Sequence, residues 1–336
     1  MTGLLTSRVE QALREVVIDA DRHRGVVCGH EVHAADAAEF LEVLGQALYL
    51  AWHVRNPAVI ENRPTTRRDH RLEERLVAGM PHRVTRTPVI LRELPADGDL
   101  LVVERDGVRV LSKREAVRPG RPLQVGRPIE LRVPAARPSL SPGFFLADGS
   151  NGPPHGASIL RIYIQVSGPA MVPGLWASAL ELLERADIRY RVKIVSTSPI
   201  FARSDGLVVY LDADTAPPVV TDLLRLASRT TGTGTATSIF AEPLGDGVAM
   251  AWEPSDARRG FTALSLGEHR ARVVAAGLLA HATSPDATDR AAAVAAAMRE
   301  ANIDPLTPAR NLDSPPFPQV TSRADTSVGD TAPVAS

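Results

Sequence analysis

A chain of 336 residues is long enough for one large domain with appendages or for two domains, and its 44% hydrophobic content supports a real core. A formal net charge of −1 argues against a nucleic-acid or membrane-surface protein, and no apolar run reaches the ~18 residues of a transmembrane helix. The single cysteine, Cys28, excludes an internal disulfide framework and suits a reducing cytoplasm, where we expect the protein to reside.

In chain order, apolar stripes at helical spacing predict helices over residues 5–20 and 34–54, with Phe40, Leu41, Leu44, Ala47 and Leu48 on one face of the second. The first reads as an amphipathic helix, not a signal peptide. A short third helix is expected over 68–80. Strand-like segments follow at 84–94, 99–106 and 108–113, joined by the turn signals Asp97-Gly98 and Asp106-Gly107. Proline-rich residues 114–142 read as an irregular arm with one or two short strands. Strands are then predicted at 160–167, 190–196 and 206–212, separated by helices over 172–188 and 217–230. A hairpin across Gly245-Asp246-Gly247 and alanine-rich helices over 267–282 and 286–301 complete the pattern. The fold class is α+β: an N-terminal helical region (1–82), a β-rich arm (83–140), a mixed α/β core (141–310) and a tail without periodicity (311–336), expected to be disordered.

The basic residues carry the sharpest compositional signal. Of 38, only Lys113 and Lys193 are lysines. In so arginine-rich a chain, a surviving lysine marks a place where losing a proton could matter, because a buried lysine can do so and an arginine cannot. Lys113 lies in an exposed-looking segment and reads as chance survival. Lys193 lies in a predicted strand whose alternation puts it beside Arg191, with Tyr190, Val192 and Ile194 facing the other way. The strand at 160–167 alternates similarly, with Arg161, Tyr163 and Gln165 on one face. If the intervening helix is a crossover, the two strands run parallel in one sheet and present cations on a single face. Such a face calls for either solvent or an anion.

Arg203 and Asp205 fall in the loop feeding the next strand; Asp205 could orient a cation or simply make a turn with Gly206. Ser265 to Arg272 opens a helix, whose free N–H groups suit phosphate, with His269 placed to give a proton. The plainer reading is an N-terminal turn capped by Ser265. His23, Cys28, His30 and His33 fall short of a zinc pattern, Thr231-Gly-Thr-Gly-Thr-Ala lacks the ending of a P-loop and reads as a flexible loop, and Ser141-Pro-Gly-Phe is no nucleophile elbow.

In order along the chain, Pro142-Gly143-Phe144, Arg161-Ile-Tyr163, Tyr190-Arg-Val-Lys193, Arg203-Ser-Asp205, Val209-Tyr210-Leu211, Glu242-Pro-Leu-Gly245 and Leu266-Gly267-Glu268-His269-Arg270 resemble the HopA-type type III effector family. Bacterial members resemble the lyase subunits of class V lanthipeptide and thioamitide maturation. The resemblance covers roughly residues 140–285 and implies a division of labour. A separate phosphotransferase-like kinase subunit phosphorylates Ser or Thr in a precursor peptide. The lyase, acting in complex with that kinase, eliminates phosphate to leave dehydroalanine or dehydrobutyrine. This chain has neither GxGxxG nor HRDxxxxN and is not the kinase.

The chemistry of β-elimination points to Lys193 as the base, if neighbouring arginines and partial burial make it neutral, with Arg161, Arg203 and Arg270 as phosphate ligands and Asp205 and Arg191 in support. The Lys-x-His pairing of effector-type phosphothreonine lyases is absent, which leaves the proton donor open between His269 and Tyr163. No metal or organic cofactor is implied. The alternative from another class is a non-catalytic scaffold that binds peptide and organises the kinase. A third is an effector acting on host targets.

Overall fold

A computed structural model describes residues 3–319 apart from 22, 61–67, 96–97, 121, 139, 198–200, 263 and 284–288. The expected Asp97-Gly98 turn therefore lies partly outside the described residues, as does the tail beyond residue 319.

The N-terminal region is helical only in part. Helix α1 (Ser7–Leu13) starts where the Thr6 hydroxyl accepts from the Val9 N–H. It stops well short of residue 20, because the β-branched run Val16-Val17-Ile18 prefers a strand. That run begins an antiparallel sheet of β1 (Val16–Asp19), β2 (Arg24–Val27) and β3 (His30–His33). Helix α2 (Ala37–Leu48) is capped by Asp36 and runs into a π-helical turn, Tyr49–Val54, which ends at left-handed Arg55 (φ 62°). Helix α3 (His70–Ala78) has its N-cap at Asp69.

The arm is a four-stranded antiparallel sheet in the order β6-β5-β4-β7, built from β4 (Val84–Glu93), β5 (Leu100–Arg105), β6 (Val108–Lys113) and β7 (Pro128–Pro134). Its own small core is Val89, Leu91, Leu101, Val103 and Leu131.

The remaining strands form one six-stranded sheet. They are β8 (Phe144–Asp148), β9 (Ile159–Val166), β10 (Tyr190–Val195), β11 (Arg203–Asp212), β12 (Glu242–Gly245) and β13 (Val248–Trp252), in the order β12-β13-β9-β11-β10-β8. The helices are α4 (Val172–Arg185), α5 (Ala216–Arg229), α6 (Leu266–Thr283) and α7 (Arg290–Glu300). Strands β9 and β10 do run parallel, but β11 lies between them and is antiparallel to both. The predicted hairpin is β12–β13, with Gly247 at φ 65°.

Alternation sorts the sheet into two faces. Leu160, Ile162 and Ile164 of β9, with Val192 and Ile194 of β10, face α4 and α5, where Trp176 is buried and donates its indole N–H to the Leu76 carbonyl. The opposite face, carrying Tyr163, Val208, Ala249 and Ala251, is covered by Leu266 of α6 and by Ala309. The chain stays packed past residue 311: Asn311 is buried, and the Phe317 ring stacks on Trp252 at 5.9 Å. The expected disorder thus does not begin at 311.

Arg203 and Asp205 belong to β11 itself and not to the loop before it; the register shifts between Arg203 and Leu207. Gly206 sits in that irregularity because a Cβ there would overlap the Val166 side chain. Gly206→Ala is expected to lower stability by ~1–3 kcal/mol through overpacking, measured by urea denaturation. An unchanged midpoint would contradict this account of the bulge.

Candidate functional site

The register aligns the expected residues in rows across the covered face of the large sheet. One row runs Ala249, Tyr163, Val208, Lys193, Leu146; the next runs Ala251, Arg161, Tyr210, Arg191, Asp148. Lys193 and Tyr163 therefore share a row two strands apart, ~10 Å by the usual strand spacing. Arg161, Tyr163, Arg191 and Lys193 do share one face.

Two clusters occupy this face. The first is centred on Arg203 and Asp205, both buried, with Nε–Oδ1 at 2.5 Å and Nη2–Oδ2 at 2.8 Å. Arg203 also donates to the Tyr49 hydroxyl at 2.8 Å. The π-turn brings Tyr49 and His53 onto the same side, their rings stacked at 5.6 Å. His53 Nε2 lies 3.6 Å from Asp205 Oδ2, and its Nδ1 is 2.8 Å from the Ser238 hydroxyl. Lys193 Nζ stands 4.5 Å from the centre of the Phe144 ring, which Arg203 also approaches at 4.7 Å. Among the described residues no carboxylate comes within ion-pair distance of Lys193. Beside it, Asp148 is shared by Arg191 (2.6 Å) and Arg137 (3.5 Å). Around Lys193, four cations thus face two carboxylates.

In the second cluster Arg161 is bound by Glu253 through two hydrogen bonds and lies over the Tyr210 ring at 5.0 Å. Tyr163 is buried, and its hydroxyl has no well-formed hydrogen bond. Arg270 is fully buried and donates to the Pro308 carbonyl at 3.0 Å, to Asn311 Oδ1 at 2.7 Å and to His269 Nδ1 at 2.8 Å. A guanidinium N–H can only donate, so Nδ1 of His269 carries no proton. Nε2 then donates to Asp256 at 2.9 Å. The two clusters meet where His53 packs edge-on against Tyr163, ring centres 5.4 Å apart.

This geometry changes several expectations. Arg161, Arg203 and Arg270 are buried and occupied by Glu253, Asp205 and backbone carbonyls, so none presents a free fork to a phosphate. His269 is fully buried, with both ring nitrogens taken up by Asp256 and Arg270. The α6 N-terminus is closed by its own capping box: Ser265 accepts from the Glu268 N–H, and Glu268 accepts from the Ser265 N–H. The Thr231 segment is tied down, since Gln165 accepts from the Ala236 N–H at 2.7 Å and leaves no room for a side chain at Gly234. Lys113 is exposed beside Glu115, 3.3 Å away, as expected.

His53, Tyr49 and Arg137 carry no functional signal of their own in the sequence patterns, and Phe144 enters there only as part of the Pro142-Gly143-Phe144 motif. One sign of His53 was present: the glycine in Leu266-Gly267-Glu268 exists because a Cβ there would overlap the His53 ring.

Burial, outweighing the attraction of Asp205 and reinforced by Arg203 and Lys193, pulls the His53 pKa down to about 4. Burial and Arg270 do the same for His269, also to about 4, against the pull of Asp256. Burial alone would raise the Asp205 carboxyl, but Arg203 overcomes it and holds Asp205 well below the carboxylate range. Burial pulls Arg270 downward, yet a guanidinium is too basic to discharge at neutral pH.

The sign follows from proton binding. Below ~6.5 the unfolded chain protonates both histidines while the native state does not, so stability falls as pH drops from ~6.5 toward 4, by up to ~3 kcal/mol per imidazole. Asp205 adds its loss only at lower pH, as protons reach a carboxylate paired in the fold. Thermal midpoints should decline steadily from pH 7 to pH 4.5. A flat profile across that interval would show that these imidazoles accept protons in place.

Residues 135–310 match the HopA1 effector protein family. The chain is similar to an effector protein from Pseudomonas syringae pv. tomato strain DC3000, with 18% identity and a TM-score of 0.40 over 50% of this chain and 62% of that one. It therefore spans less than two thirds of that relative. A second effector protein, from Pseudomonas syringae pv. syringae strain 61, shows 14% identity and a TM-score of 0.44 over 80% of this chain and 96% of that one. No curated protein matches. With the motif-bearing sheet and α6 inside the matched region, the chain belongs to the HopA1 effector protein family.

Proposed function

We propose that the protein is a phosphoserine/phosphothreonine lyase that works in the cytoplasm with a kinase subunit and acts on a phosphorylated precursor peptide in lanthipeptide or thioamitide maturation. The observation that carries this reading is Lys193: a half-buried amine with no carboxylate partner among the described residues, set against Phe144 in a strip with excess positive charge. β-Elimination needs a base for the weakly acidic Cα–H and a cationic environment for the departing phosphate.

In the reaction, the Lys193 amine takes the α-proton. The electron pair becomes the Cα=Cβ bond, the Cβ–O bond breaks, and phosphate leaves with its oxygen. The guanidiniums with room for it are Arg191 and Arg137, which share a single carboxylate and are partly exposed, and not the buried Arg161, Arg203 and Arg270. Arg203 and Asp205 act through position: Arg203 shares the Phe144 ring with Lys193, and Asp205 fixes Arg203. The reading requires no metal or organic cofactor.

The closure of Arg161, Arg203 and Arg270 by internal partners favours a second reading, a non-catalytic scaffold subunit that binds peptide for the kinase.

Incubation with a phosphothreonine peptide followed by mass spectrometry separates the two. The lyase releases phosphate and leaves an alkene. Lys193→Ala and Lys193→Arg should each slow this by ~10²–10⁴-fold, the usual contribution of a general base. Arg191→Ala and Arg137→Ala should raise KM more than they lower kcat. Undiminished elimination by Lys193→Ala would end the lyase mechanism; absence of elimination by the wild-type complex, with peptide still bound, would establish the scaffold.

A further inference from the structure

Strand β6 is the open edge of the arm sheet: it pairs with β5, and among the described residues no strand lies on its other side. Open edges in soluble proteins are normally blunted by proline, a bulge, short length or charged side chains, and of these β6 carries only the charges of Arg109 and Lys113. Six-residue β6 has no proline, and its register with β5 runs without a break. Val108, Val110 and Leu111 are 60%, 48% and 69% exposed.

The hairpin decides which backbone groups face outward. Asp106 (φ 51°) and Gly107 (φ 78°) make the two-residue turn with both centres left-handed, which closes on a hydrogen-bonded Arg105–Val108 pair. Pairing alternates from there. The Arg114 N–H bond to the Asp99 carbonyl, at 2.7 Å, keeps the same phase at the far end. Val108, Val110 and Ser112 therefore bond to β5, and the N–H and C=O groups of Arg109 and Leu111 and the N–H of Lys113 point outward, the Lys113 carbonyl accepting from the Ser112 hydroxyl at 3.5 Å.

The two faces of the edge differ. Val108 and Val110 lie on the side of buried Leu101 and Val103, at an unfinished margin of the arm core. Arg109, Leu111 and Lys113 lie on the other side. Glu104 is shared between Arg109 (3.6 Å) and a bidentate Arg92, and among the described residues the only carboxylate at Lys113 is that of exposed Glu115. Residues 83–134 hold eleven arginines and lysines against seven carboxylates, in a chain whose net charge is −1. A second copy pairing β6 to β6 would bring two such positive sheets together.

We infer that β6 takes up an extended peptide from another chain as an added strand, with apolar side chains alternating with acidic ones. The apolar residues extend the Leu101–Val103 core past Val108 and Val110, the acidic ones meet Arg109 and Lys113, and the main chain bonds to the outward groups. This inference stands apart from the lyase reading, since no residue of the large sheet enters it.

The test uses the full chain and two labelled eight-residue peptides, one alternating Val and Glu, the other Val and Lys, read by fluorescence anisotropy. The Val/Glu peptide should bind saturably and the Val/Lys peptide at least ~10-fold more weakly. Leu111→Pro deletes an outward N–H without touching the β5 ladder, and should reduce binding at least ~10-fold. Arg109→Glu/Lys113→Glu keeps the backbone and should invert the charge preference, so the inference does not depend on Leu111→Pro folding. Absence of saturable binding, equal binding by a folded Leu111→Pro and the wild type, or a dimer by light scattering that Leu111→Pro dissolves would each overturn it.

Discussion

The ion pair between Arg203 and Asp205 is the contact on which the arrangement of the candidate site depends. Both groups are buried, and a buried pair repays the loss of water only when its remaining hydrogen-bonding positions are filled. Tyr49 fills one on the arginine, and His53 approaches the carboxylate. Those two residues come from the N-terminal half, outside the family-matched region, and the π-turn puts their rings in one stack. Gly267 then brings α6 against the far side of His53. Removing either ion-pair partner would leave a lone buried charge, a cost of ~3–5 kcal/mol, and would loosen the contact between the N-terminal helices and the large sheet.

The same pair divides the cations of the sheet. Arg203 is neutralised by Asp205, Arg161 is held by Glu253, and Arg270 is used up on the C-terminal segment around Pro308 and Asn311. These arginines are structural braces between layers. What remains in excess lies toward β8 and β10, where Arg191 and Arg137 share the single carboxylate of Asp148 and Lys193 stands against the Phe144 ring. The proposed elimination draws on these residues and not on the buried braces. The arm shows the same economy in another form, a small core left open at β6 with its charge on one side.

Local patterning made much of this legible. Strict alternation in 160–167 and 190–195 placed Arg161, Tyr163, Arg191 and Lys193 on one face, because side chains of a strand alternate whatever its neighbours are. The Gly245-Asp246-Gly247 hairpin, the Asp106-Gly107 turn and the Ser265 cap followed from turn and capping chemistry confined to a few residues. The two-lysine count directed notice to position 193. The helix expected over 5–20 ends at Leu13 because the β-branched run Val16-Val17-Ile18 outweighs the apolar stripe.

Which charges are spent is a different kind of fact. Glu253 is 92 residues from Arg161, and Tyr49 is 154 from Arg203. No periodicity joins such partners; they meet because β13 pairs with β9 beside Arg161 and because the π-turn packs against β11. The amino-acid order by itself determined the strands, their faces and the rarity of lysine. Only the tertiary structure decided which cations are closed by a partner and which stay open, because pairing depends on distance in space and alternation fixes only direction along a strand.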